Sequence, residues 1–387
     1  MTRRRAYDVA FYIPWIGPLL TYRDTAPAGG AETQIFLVAQ ALARAGLRVC
    51  LIAFELEGIE LPTSRDGLDV IMRPPYQSKR GGLFGKLRET LAIWRAVLAA
   101  DAAVVVTRAA GPHVGIVAVA ARTSGRRFVY SSANVSDFDF AILAPNRRDR
   151  ALFALGVRLA DEVVVQTSEQ VELCRERFGR PARLIRSVAE PAEPRPAEPE
   201  AFLWIGRLVW YKRPLEFLEL ARRVPEARFW LVGVPVPFAP GGPELVASVE
   251  QAASELPNVE LLPPRPRPQV LELIERAVAV VNTADFEGLP NILLEGWSRG
   301  VPALVLTHDP DGIVAAEGLG HFAHGEREAM ALAAQELWSS RHDQEELAQR
   351  CRRYVREQHA PEAVAQQWRR LLLRDPTVPM QAVAEVP

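Results

Sequence analysis

The strongest constraint in this sequence is an alternation that runs twice. Short apolar, β-branched runs are separated by longer stretches with helical spacing. In the first half the runs are DVAFYI, RVCLIAF, LDVIMR, AAVVVT, RFVYSS, DEVVVQT and ARLIRS, with helices expected near 31–45, 83–99, 112–123 and 168–178. Strands that are apolar throughout, with helices between them, form parallel sheets covered on both faces. The alternation then stops at EPAEPRPAEPEA, where four prolines and mixed charge can sustain neither a helix nor an inner strand. It restarts with AFLWIG, RFWLVG, VELLPP, VAVVNT and PALVLT, with helices near 214–224, 243–256, 268–276, 290–299 and 326–340. The expected fold is therefore α/β, with two Rossmann-like doubly wound domains facing a central cleft. Their expected extents are 1–189 and 201–360, joined by a linker over 190–200. A closing helix at 361–373 is expected to pack back on the first domain, ahead of a flexible tail at 375–387.

A length of 387 residues fits two domains, since single cores stop growing near ~250–300 residues. A net charge of -1 gives no general attraction to nucleic acid, which is not expected as a partner. Cys50, Cys174 and Cys351 are widely spaced and without a C-x-x-C, so neither a disulfide framework nor a zinc site is indicated. The basic start MTRRR precedes an apolar run broken by Asp8 and Pro14, which reads as a first strand rather than a leader. No apolar stretch approaches the ~18 residues needed to cross a bilayer. The expected location is the cytoplasm, with the inner face of the membrane as a further option.

Ligands of parallel sheets bind beyond the carboxyl ends of the strands, so the segments that follow strands matter most. After AFLWIG, the stretch WIGRLVWYKRP is expected to put Gly206, Arg207 and Lys212 in a loop opening a helix near Pro214. A glycine turn, two cations and a helix N-terminus make a seat for a diphosphate, although surface cations beside a loop would give the same letters. After VAVVNT, the stretch ADFEGLPNILLEGW sets Glu287 at a Gly288–Leu289–Pro290 corner and Glu295 on the following helix. A carboxylate can accept from two neighbouring hydroxyls, as on a sugar or ribose, yet Glu295 also fits an ordinary solvated face. After DVAFYI, a long loop over 14–28 ends in Gly29–Gly30 before a helix, which permits close phosphate contact or a simple turn.

PAGGAET, IGRLVWYKRP and FEGLPNILLEGWSRGVPALV occur in that order, and together they resemble the family-4 glycosyltransferases of the GT-B fold. The likeness covers roughly 7–373. It implies a retaining transfer of a sugar from a nucleotide-diphosphate sugar, without metal or other cofactor, to a glycan, lipid-linked or small-molecule acceptor. By this resemblance Arg207 and Lys212 neutralise the leaving diphosphate, Glu287 touches the donor sugar and Glu295 holds the ribose. Gly288, Leu289 and Pro290 line the sugar and phosphate, Gly206 belongs to the phosphate loop, and Gly29 and Gly30 meet the phosphate from the other domain. Many relatives carry a histidine where this chain has Ser131, Ser132 and Asn134; His113 is the candidate substitute, although a histidine at a helix start is more often incidental. Lys212→Ala is expected to lower turnover with little effect on folding.

Competing motifs are weaker. DFD at 137–139 matches a metal-binding D-x-D, and HFAH at 321–324 offers two imidazoles without a third ligand. The basic segment 83–99 carries Phe84, Leu87, Leu91, Trp94 and Leu98 at helical spacing. Packing of that stripe as an ordinary crossover helix is the first expectation, and peripheral membrane contact the second. A sugar-nucleotide epimerase or a disaccharide phosphorylase would use the same scaffold. So would a non-catalytic sugar binder, though a binder of neutral sugars has no need of Arg207 and Lys212.

Overall fold

The computed structural model describes residues 5–21, 29–55, 60–73, 82–139, 146–194, 198–237 and 239–374. The 375–387 tail, residues 22–28 of the first long loop and 195–197 of the proline-rich break lie outside the described residues. Two units emerge. One holds the described residues up to Val188 and those from Pro361 onward, and the other Ala189–Ala360.

In the first unit eight strands are ordered β3-β4-β2-β1-β5-β6-β7-β8. They are β1 Tyr7–Tyr12, β2 Val49–Phe54, β3 Ser64–Arg65, β4 Leu68–Arg73, β5 Ala102–Arg108, β6 Arg127–Ser131, β7 Glu162–Val165 and β8 Arg183–Leu184. All pairings are parallel except that of β3 with β4. The helices are α1 Gly17–Leu20, α2 Gly30–Arg44, α3 Gly82–Ala99, α4 His113–Thr123, α5 Arg147–Leu159 and α6 Ser168–Phe178. Because successive side chains alternate faces, Val9 and Phe11 join one core with α2, while Ala10 and Tyr12 join another with α3, α4 and α5. The terminal helix, Pro361–Leu373, adds Val364, Trp368 and Leu372 to the α2 side, with Trp368 edge-on to Phe11. Arg127 fastens its end by donating to the carbonyl of Leu372 at 2.7 Å.

The second unit has six parallel strands ordered β11-β10-β9-β12-β13-β14. These are β9 Ala201–Leu208, β10 Phe229–Pro235, β11 Val259–Leu262, β12 Ala277–Asn282, β13 Ala303–Val305 and β14 Gly320–Phe322. Its helices are α7 Pro214–Arg223, α8 Gly242–Ser254, α9 Arg267–Glu275, α10 Asn291–Ser298, α11 Ile313–Ala316, α12 Arg327–Ser339 and α13 Glu345–Gln358. Phe202 and Trp204 face one core and Leu203 the other, where α10 seats Trp297 against Tyr354 of α13.

Several details differ from the sequence expectation. The strands β3 and β14 and the helices α1, inside the expected irregular loop, α5, α11 and α13 were not anticipated. HFAH supplies the last residues of β14, with His321 beside Leu304, and no cluster of metal-ligating side chains occurs among the described residues. In α3 the expected packing stripe turns largely away from the core, with only Trp94 of its five residues packed there, half-buried. Ile93, Ala96 and Val97 pack inward, whereas Phe84, Leu87, Leu91 and Leu98 are exposed. Spacing alone identifies a stripe but not the partner it faces. No described helix is long and apolar enough to cross a membrane.

Candidate functional site

The site in the second unit is built where β9 and β12 end. Thr283, fully buried just beyond β12, accepts from the Trp204 indole N–H at 3.0 Å and donates to the Lys212 carbonyl at 2.7 Å. Asp285 N–H donates to the Tyr211 carbonyl at 2.9 Å, and the Tyr211 and Phe286 rings stack at 4.8 Å. Two loops separated by seventy residues of sequence are thereby fastened side by side. Arg213 completes the fastening, reaching Asp285, Thr307 and Glu216, from a left-handed backbone (φ 48°) that caps α7.

This fastening places Lys212 against Glu287 in a direct ion pair. Glu287 is buried, and Lys212 partly so. Burial, followed by the neighbouring Arg207 guanidinium, pulls the Lys212 ammonium down to about 7. A cation held at that cost responds strongly to a new negative charge nearby. Arg207 does not sit in the loop as expected: it is the exposed penultimate residue of β9, and its guanidinium donates to the Tyr211 hydroxyl at 2.9 Å. Lys212 closes a short 3-10 turn, Trp210–Lys212. Gly206 also ends in β9, paired with Gly233 of β10, and a Cβ there would lie 3.1 Å from the Trp204 ring. A side chain there would press on the Trp204 ring, so packing also favours a glycine at 206.

Gly288 and Leu289 form the expected corner, and both are buried with Pro290. Pro290 is the N-cap of α10, so the helix begins one residue later than expected, at Asn291. Its positive end faces back toward the corner. Glu295 does not lie on a solvated face: its side chain is largely buried and accepts from Arg267 Nε at 3.1 Å, at the start of α9. Beside this set, Asn282 accepts from the Ala284 N–H, while its buried amide nitrogen finds no partner among the described residues. Such an orphaned donor costs about 1–3 kcal/mol unless a ligand accepts from it.

Sequence reasoning missed Tyr211, Arg213, Arg267, Asn282 and Thr283. All but Asn282, whose one bond is to Ala284 two residues on, act through a contact distant along the chain, and the one available signal was their position at a strand end or a helix start.

The corresponding edge of the first unit is arranged differently. Gly29 caps α2 and Gly30 opens it, and the carboxylate of Glu32 folds over Gly29. An anion arriving at this helix end has to share it with Glu32. Arg108, buried at the end of β5, donates to Ser131 at 2.9 Å, and burial lowers it to about 10. Asp137 is buried and accepts from Tyr130, Ser132 and the Ala133 N–H. Asn134 caps the turn after β6 by accepting from Ser136 N–H at 2.9 Å. The first aspartate of DFD, together with Ser131, Ser132 and Asn134, is thus engaged within the fold. His113 opens α4 with its ring against Tyr12, at 5.8 Å between centroids.

Residues 29–189 match the family model described as "Glycosyl transferase 4-like domain", and residues 186–359 that described as "Glycosyl transferases group 1". No curated protein matches the sequence. Among solved structures, the chain is similar to sucrose-phosphate synthase from Thermosynechococcus elongatus at 17% identity, over 95% of this chain and 98% of that one, with a TM-score of 0.73. It is also similar to Anabaena HepE in complex with UDP and glucose, at 15% identity over 95% and 99% of the two chains, TM-score 0.73. The trehalose-6-phosphate synthase OtsA matches at 13% identity over 96% and 100%, TM-score 0.72. These likenesses establish the fold, which is GT-B. With the two family models together spanning 29–359, the chain belongs to the glycosyltransferases, as a 4-like N-terminal domain followed by a group 1 domain.

Proposed function

We propose that this protein transfers a sugar, with retention of configuration, from a nucleoside-diphosphate sugar to a saccharide, lipid-linked or small-molecule acceptor. The observation that carries this reading is the partly buried Lys212, paired with Glu287 and flanked by Arg207 at the carboxyl end of β9. Breaking the bond between the anomeric carbon and phosphate leaves a diphosphate anion, and fixed cations that need no reorganisation stabilise it. Two such cations make a metal unnecessary, and none enters this reading. HepE, of the same fold, is in complex with UDP and glucose, so UDP-sugars come first among the donors to test.

In this reading Glu287 keeps one oxygen on Lys212 and offers the other to donor sugar hydroxyls. Glu295, steadied by Arg267, accepts from the ribose. The backbone of Gly206, Gly288, Leu289 and Pro290 lines the phosphate and sugar. The acceptor oxygen bonds to the anomeric carbon on the face the phosphate leaves, and its proton passes to the departing phosphate oxygen. No side-chain base is then required.

Thermal unfolding with UDP, GDP and ADP, each against its parent nucleoside, tests the reading. A midpoint raised by one of the diphosphates and not by its nucleoside is expected. A protein stabilised by free sugars alone would instead be a binder.

A further inference from the structure

A crossover helix needs one apolar stripe, and α3 has two. Ile93, Ala96 and Val97 are packed in the core, whereas Phe84 is 81% exposed, Leu87 56%, Leu91 47% and Leu98 42%. At 3.6 residues per turn the exposed stripe is centred about 160° round the axis from the buried one. These are four of the eleven large apolar side chains exposed among the described residues, and they alone follow one another along a helix face. Arg88 and Arg95 border the stripe, within about 70° of its centre, and Lys86 is also exposed. The only acid on the helix is Glu89.

We propose that this face of α3 docks the protein on an anionic lipid bilayer. Leucine and phenylalanine enter the region between headgroups and acyl chains, while flanking arginines extend to the lipid phosphates. A second copy of the chain fits the face less well. Four side chains offer on the order of 400 Å², about half of what a stable interface buries on each partner. A symmetric pairing would also set Arg88 and Arg95 against their own copies. The helix follows β4 and leads into β5, so its Phe84 end lies at the carboxyl edge of the sheet, the edge at which α2 begins with Gly29–Gly30. Resting on the transferase reading, this geometry assigns the acceptor to a lipid-linked class.

Flotation of the full chain with vesicles of phosphatidylcholine, alone or with about a third phosphatidylglycerol, tests the docking. Binding is expected only to the anionic vesicles, and is expected to weaken as salt is raised toward ~0.5 M. The double variant Phe84→Asp, Leu87→Asp should lose at least roughly tenfold in partitioning while its thermal midpoint is unchanged. Equal binding to neutral vesicles, no binding to either, or a variant that floats like the parent overturns the proposal. A dimer in solution that the same substitutions split into monomers reassigns the face to a second copy. Failure of nucleoside diphosphates to stabilise the protein would remove the transferase reading and leave the vesicle result standing.

Discussion

The carboxyl edges of the two sheets use their polar residues differently. In the first unit, Asp137 is engaged by Tyr130, Ser132 and a backbone N–H, Glu32 covers Gly29, and Arg108 donates to Ser131 while its buried Nε finds no partner among the described residues. In the second unit, Lys212 is held beside Arg207 in surroundings that lower its proton affinity, and the amide nitrogen of Asn282 is unsatisfied. Satisfied polar groups specify the fold, and strained ones are free to gain from a ligand.

The largest effect that sharpens this contrast is expected from Lys212→Ala, which should cost about 10²–10³-fold in turnover by initial rates. The sequence expectation of intact folding needs revising. Glu287 would be left buried without its ammonium, so we also expect a loss of about 1–3 kcal/mol in denaturant unfolding. At the other edge, Asp137→Ala strands three donors and should lower stability by about 3 kcal/mol with diphosphate affinity unchanged. If Asp137→Ala weakened diphosphate binding directly, the contrast between the edges would collapse.

The pH dependence is a smaller and sharper probe. Below about 7 Lys212 is already charged in the free protein, so diphosphate affinity should not vary on its account. Above it, binding must take up a proton, and affinity should weaken by up to about tenfold per unit until the bound ammonium itself titrates. Isothermal titration in buffers of different ionisation enthalpy would detect the proton uptake, and Lys212→Arg should abolish it. The smallest effect is expected for Tyr211→Phe. This change keeps the stack on Phe286 but releases Arg207, and should lower turnover about fivefold without moving the thermal midpoint.

Most strands were legible because they are buried on both faces and so read as continuous apolar runs, as in VCLIAF and AVAVVN. The helix EELAQRCRRYVREQ was not, since half of its fourteen residues are charged and its apolar contacts reduce to Ala348, Cys351, Tyr354 and Val355. Lys212 and Glu287 were each visible as motif residues, but their pairing was not, because a fold brings them together across seventy-five positions. Glu295 illustrates the same limit. Its helical face looked solvated until Arg267, twenty-eight residues away, was found against it. Helical spacing likewise revealed the stripe on α3 and gave no sign that the core would choose the opposite side.

The most direct measurement is the dissociation constant of the best-stabilising nucleoside diphosphate, with its nucleoside as control, for the parent chain and for Lys212→Ala. We predict that the substitution weakens the diphosphate by about 30-fold or more and leaves the nucleoside unchanged. Equal diphosphate affinity in the two proteins would contradict a role for Lys212 in holding the leaving anion.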